Sequence, residues 1–332
     1  MTRRRSLISI LAQHKSESTT AKYLTIVALE DGLTASLSTN ACEYCIDGDD
    51  NWLSLAAGTT TQSVNTGQTL SFKGNLSPKT TAGIGTFTIS KKCNLAGNCM
   101  SMLFGDDAAN SRSLYGKNYA FYQLFNNCTN IVGVSENFLP ATSLATNCYQ
   151  NMFSGCSSLT TAPALPATAL TQYCYSYMFR DCTSLTTAPV LPTTTLANYC
   201  YNGMFSGCTS LITAPELPIT ALTNYCYQNM FDGCSSLTTA PALPAITLKT
   251  YCYASMFQGC TSLTMAPELP ATTLANSCYQ FMFSGCTNLT TAPALPATTL
   301  TYGCYYMMFN GCTSLTDASA LPATALAEYC YQ

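Results

Sequence analysis

The chain is 332 residues long, with only 9% charged side chains, a net charge near −3 and a single histidine, yet 47% of it is apolar and it holds 21 tyrosines and 20 cysteines. Nucleic-acid binding is excluded as a main role, because phosphate recognition needs clustered Lys and Arg and the 13 basic residues here are scattered. An unfolded, charge-rich chain is excluded by the same composition, and no apolar run approaches the length of a membrane span.

In chain order, residues 1–22 open with Arg3, Arg4 and Arg5 followed by a short apolar run, Leu7 to Ala12, too short and too poorly followed for a clear secretory signal. They are expected to form a flexible or docking tail. Residues 23–92 read as a small all-β domain, a sandwich or curled sheet. Strands are expected at Tyr23–Leu29, Leu33–Thr39, Ala41–Asp47, Trp52–Ala56, Thr69–Leu76 and Gly85–Ser90, separated by turn signals such as Asp31-Gly32 and Asp47-Gly48.

From Cys148 onward a 26-residue block recurs, with Cys-Tyr pairs at 148, 174, 200, 226, 252, 278, 304 and 330. A fixed period of this length predicts a solenoid, since one block has too few apolar residues to close a core and must stack on its neighbours. Within the block, the spacing of Cys148, Met152 and Phe153 predicts one or two helical turns stopped by Gly155. A parallel strand of three or four residues is predicted near Ser158 to Ala162, bounded by Pro163 and Pro166, and Leu165 and Leu170 are expected to point inward. The fold expected is thus a β-rich α/β solenoid, resembling leucine-rich repeats, of short parallel strands plus short helices. Residues 93–147 read as degenerate capping repeats, with Ala120 to Cys128 an imperfect copy, and 148–332 as seven full blocks and the start of an eighth.

Met-Phe-x-Gly-Cys-x-x-Leu-Thr followed by a proline-bounded strand resembles the BspA-like (Treponema pallidum type) leucine-rich repeats, in particular the Cys-Tyr-rich 26-residue variant of gut Bacteroidetes and their phages. The resemblance covers residues 93 to 332. It implies a non-enzymatic surface adhesin or phage tail protein, extracellular, on a bacterial cell surface or in a virion, with a protein or glycan ligand on a cell surface.

The cysteines of each block form two columns. Cys148, Cys174, Cys200, Cys226, Cys252, Cys278 and Cys304 make the first; Cys156, Cys182, Cys208, Cys234, Cys260, Cys286 and Cys312 make the second. Burial as small hydrophobes and disulfides between the columns both fit. A zinc ladder does not, because each coil supplies two cysteines and no histidine. Cys42-x-x-Cys45 with Cys93 and Cys99 is a weaker zinc candidate, and Asp47, Asp49 and Asn51 imitate a calcium loop that lacks its glycine and closing glutamate.

No cofactor is expected and catalysis finds no support: the lone His14 lies in the tail, and Glu216, Asp232, Glu268 and Asp317 fall singly at different block positions. Positions that vary between blocks mark solvent, and among them Tyr177, Phe281, Tyr302, Tyr306 and Met307 make the candidate partner-binding strip. The repeated Thr-Thr pairs at 160, 186, 238 and 290 are explained by β propensity. The competing role is a structural spacer or assembly component of a filament or virion, self-associating end to end through an uncapped C-terminus.

Overall fold

The computed structural model describes residues 22–317 and 320–331. The tail expected over 1–22, with His14, lies outside the described residues apart from Lys22.

All six strands expected in the N-terminal region are present, each trimmed at its ends: β1 Leu24–Ala28, β2 Ala35–Leu37, β3 Cys42–Ile46, β4 Leu53–Leu55, β5 Thr69–Lys73 and β6 Phe87–Ile89. A seventh, β7 Cys93–Gly97, and an eighth, β8 Ile131–Val134, follow. The main sheet has the order β4-β3-β5-β1-β7-β8, while β2 pairs with β6 in a separate two-stranded sheet.

β7 is the junction. It runs antiparallel to β1 on one side and parallel to β8 on the other. Beyond β8, single parallel bridges continue the ladder through Gly133↔Thr161, Thr187↔Thr213↔Thr239 and Met265↔Thr291↔Asp317. The strands expected over three or four residues are therefore reduced to one bridged residue per coil, because the prolines that follow remove the donors a longer ladder needs.

The expected helices in the blocks are absent, which corrects the α/β part of the reading: among the described residues, each Cys-Tyr segment is a chain of consecutive turns. In the coil at 199–208, the N–H groups of Cys200, Asn202, Met204, Ser206 and Cys208 donate three residues back, to the carbonyls of Ala197, Tyr199, Tyr201, Gly203 and Phe205. The alternate N–H groups, of Tyr199, Tyr201, Gly203, Phe205 and Gly207, donate instead to the next coil, at Asn224, Cys226, Gln228, Met230 and Asp232. Every backbone donor in the segment is thereby satisfied, half within the coil and half between coils.

Every second turn carries a left-handed residue at its third place, as a type II turn requires. These residues form three columns: Asn147 to Tyr329 just before each Cys-Tyr pair, Asn151 to Met307 three residues after the first cysteine, and Gly155 to Gly311 just before the second. Gly155 is accordingly a turn residue and not a helix stop.

The apolar core side chains recur with a period of four, in adjacent pairs. Cys200, Tyr201, Met204, Phe205 and Cys208 are all buried to within 1%. A helix would carry Cys208 about 80° around the axis from Cys200; the turn ribbon keeps both on one face.

Stacking repeats this core. Tyr149, Tyr175, Tyr201, Tyr227, Tyr253, Tyr279, Tyr305 and Tyr331 form one ladder, successive centroids 5.6–5.9 Å apart. Phe125 through Phe309 form a second. Each offset pair adds roughly 0.5–1.5 kcal/mol beyond its burial. The phenylalanine ladder begins in the N-terminal sheets, where Phe72 meets Phe87 edge-on and Phe87 stacks on Phe125 at 5.4 Å. Phe87 thus occupies the place of a preceding coil's phenylalanine.

Burial pushes the Cys208 thiol up to about 12 and Cys226 up to about 11, from 9.0. A thiol whose folded-state pKa is raised keeps its proton longer when folded, so between pH 9 and 12 the unfolded chain binds fewer protons. Stability is then full below about pH 9 and falls as pH rises through that window. Denaturant midpoints measured against pH should decline from about pH 9 upward; a flat profile would contradict the burial of these columns.

Candidate functional site

The cysteine columns are structural filler with one added duty. All 20 cysteines carry free thiols, and all but Cys312 are buried. In the second column each thiol donates to the carbonyl of the preceding coil's phenylalanine: Cys182 to Phe153, Cys208 to Phe179 and Cys234 to Phe205, each at 3.1 Å. That carbonyl already accepts an N–H three residues on, so the thiol uses its second lone pair. Cys128 repeats the contact on Phe87, which ties the imperfect coil to β6 in the same way. Desolvation holds these thiols protonated near neutral pH, where they are poor nucleophiles and poor ligands.

The zinc candidate is not assembled. Cys42 and Cys45 sit on β3 and Cys93 begins β7, with β5 and β1 between them, and no group of three His, Cys, Asp or Glu converges on a metal position among the described residues. Asp47, just after β3, ties to the start of β5 instead, accepting from the Thr69 N–H and the Gln68 amide.

The expected aromatic strip divides. Phe281 meets Tyr306 edge-on at 5.3 Å, and Tyr306 and Tyr302 both meet Tyr329 edge-on. These four rings make one cluster over the last coils. Met307 turns away to line an apolar cavity beside the last described coils, together with Met308, Phe309 and Leu315. Tyr177 stands several coils off, covering the bare backbone of Gly203, where a Cβ would come 2.2 Å from its ring, with Arg180 above it.

A longer feature lies outside that strip. Tyr173, Tyr199, Tyr225 and Tyr251 stack face to face along the solenoid, centroids 4.5, 4.3 and 5.0 Å apart and planes within 15°. This is tighter than the buried ladders. The four residues are half-buried, and the Tyr199 hydroxyl is hydrogen-bonded to those of Tyr225 and Tyr173. Desolvation, followed by the neighbouring Tyr225 and Tyr173, pushes the Tyr199 phenol up to about 12.

All four adopt left-handed backbone, φ between 54° and 59°. For a large L-residue this costs roughly 1–2 kcal/mol. Asn147, Ser277 and Gly303 hold the same column in other coils, so tyrosine is not required by the turn. Beside the row run Gln172, Asn198 and Asn224, exposed amides, with the Asn224 N–H donating to the Asn198 side-chain oxygen. The signal was present in the sequence as Tyr immediately before Cys-Tyr in consecutive blocks, but it is visible as an oddity only once that position is known to be left-handed.

The family model for the BspA-type leucine-rich repeat region (6 copies) matches residues 117–238 and 227–331. No curated protein and no solved structure matches the chain.

Replacing Cys208 by Ala empties the second lone pair of the Phe179 carbonyl and leaves a small void. The expected cost is about 1–3 kcal/mol, read as a lower denaturant midpoint; an unchanged midpoint would mean that the thiol contact contributes nothing.

Proposed function

The chain belongs to the BspA-type leucine-rich repeat family, and from that premise we propose that it is a non-enzymatic adhesion or receptor-binding protein presenting its solenoid surface to a host protein, a cell surface or a glycan. Repeats of this family are commonly protein-binding modules and typically lack catalytic activity. We place this chain outside the cell, on a bacterial surface or in a phage virion. No described helix is long and apolar enough to cross a membrane.

The observation that carries the reading is the conflict at the left-handed columns. Large side chains sit there at Tyr173, Tyr177, Tyr199, Tyr225, Tyr251, Phe281 and Met307, where Gly, Asn or Ser serves the same turn elsewhere. Strained residues that a fold does not need point to a surface selected for contact. Glu216, Glu268 and Asp317 stand exposed and apart, and half-buried Asp232 is held upward mainly by desolvation.

Because the coils are equivalent, binding should be the sum of weak contacts. Excising one block and then two from within residues 174–277, at block boundaries, should weaken surface-plate avidity in steps; loss of all binding with one particular block, and none with the others, would contradict this reading.

One observation favours the alternative of a spacer or assembly component. Leu295, Met308, Phe309, Leu315 and Tyr331 line an apolar cavity of about 460 Å³, and a second chain fits there by the same stacking. Light scattering after size exclusion decides it: concentration-dependent oligomers support assembly, and a monomer at all concentrations rejects it.

A further inference from the structure

Resting on the adhesive reading above, the geometry points to a ligand class for the tyrosine row: we propose that Tyr173, Tyr199, Tyr225 and Tyr251, flanked by Gln172, Asn198 and Asn224, bind a neutral, extended, equatorially linked polysaccharide lying along the solenoid axis.

The row repeats the same group once per coil, at 4.3–5.0 Å. A ligand that meets it along its length must itself repeat at that interval. An extended, equatorially linked homopolysaccharide advances by one pyranose unit at close to this interval, with successive units turned over along the chain. A protein brings a different side chain to each coil, and an added β-strand would lie along one coil instead of across several.

The chemistry of the face agrees. The tyrosine planes are stacked against one another, so what they offer the ligand is a line of phenol hydroxyls and C–H edges, with the exposed amides of Gln172, Asn198 and Asn224 alongside, the Asn198 oxygen also accepting the Asn224 N–H. Phenols and amides both donate and accept, which matches a polyol. Over residues 171–173, 197–199, 223–225 and 249–251 the only charged side chain is Lys249. That disfavours an acidic polymer, which needs clustered cations.

Desolvation and the neighbouring tyrosines push the Tyr199 phenol up, so it stays protonated at neutral pH. Each coil contributes little by itself. Affinity then grows with the number of coils spanned, as for any ligand engaging linked equivalent sites.

The test is titration calorimetry of the intact chain with neutral β-1,4-linked oligosaccharides from disaccharide to hexasaccharide, beside a panel of host surface proteins. Affinity should rise with length and level off once the sugar spans the four tyrosines. Tyr199→Asn and Tyr225→Asn, which keep a residue suited to left-handed backbone as at Asn147, should each weaken the longest ligand about tenfold, or 1.4 kcal/mol, without lowering Tm. Affinity independent of length, or unchanged in both variants, overturns the site. A fall in Tm in both variants with sugar binding intact assigns the row a structural role and also overturns it. If no sugar binds while a host protein is held by the solenoid, the polysaccharide inference fails and the adhesive reading stands; if neither binds, both fail.

Discussion

The structure depends on a division of labour among backbone amides. In the Cys-Tyr segments from Cys148 to Cys286 the N–H groups alternate between a carbonyl three residues back and a carbonyl of the next coil. The first set shapes the turn and the second fixes the register of the stack. Because both sets share one segment, a coil shifted by a single residue would exchange inward for outward bonds and orphan a row of buried donors, each costing about 1–3 kcal/mol. The 26-residue period is held by this constraint more firmly than by any side chain.

The side-chain order follows from it. A ribbon whose core side chains recur every four residues in adjacent pairs buries Cys-Tyr, Met-Phe and the second Cys as a layer, and translation by one coil stacks like on like into aromatic ladders. Cysteine suits the second column because it is small enough for the layer and still supplies a donor to a carbonyl with a lone pair to spare. Stacking also explains how the N-terminal sheets join the coils. β7 supplies the first parallel neighbour, and Phe87 supplies both a ring for the ladder and a carbonyl for Cys128.

Much of this was legible in the sequence. The period, the inward positions of Leu165 and Leu170, and the six N-terminal strands are set by local apolar patterning and turn residues, and they appear where that patterning puts them. The turn ribbon was not legible from the same cues, because an apolar residue at i and i+4 satisfies a helix and a period-four ribbon alike. The distinction lay in Cys156 falling a further four residues on, and in the glycine and asparagine recurring at intervals of four. A helix tolerates neither that drift nor those residues well. The aromatic strip was legible only in part, since variability between blocks marks exposure and says nothing of which exposed rings meet. Phe281, Tyr302 and Tyr306 do meet, joined by Tyr329; Tyr177 and Met307 do not join them. The row headed by Tyr173 escaped notice because its significance is conformational, and left-handed tyrosine cannot be read from composition.

The equivalence of the coils is tested most directly by backbone NMR over residues 199–208 and the facing 224–232. Left-handed shifts at Tyr199, Gly203 and Gly207, with contacts from the Tyr201 and Phe205 amides to the Cys226 and Met230 residues of the following coil, are the result the account predicts. An unbroken run of helical shifts from Cys200 to Gly207, with no contact between the two segments, would contradict it.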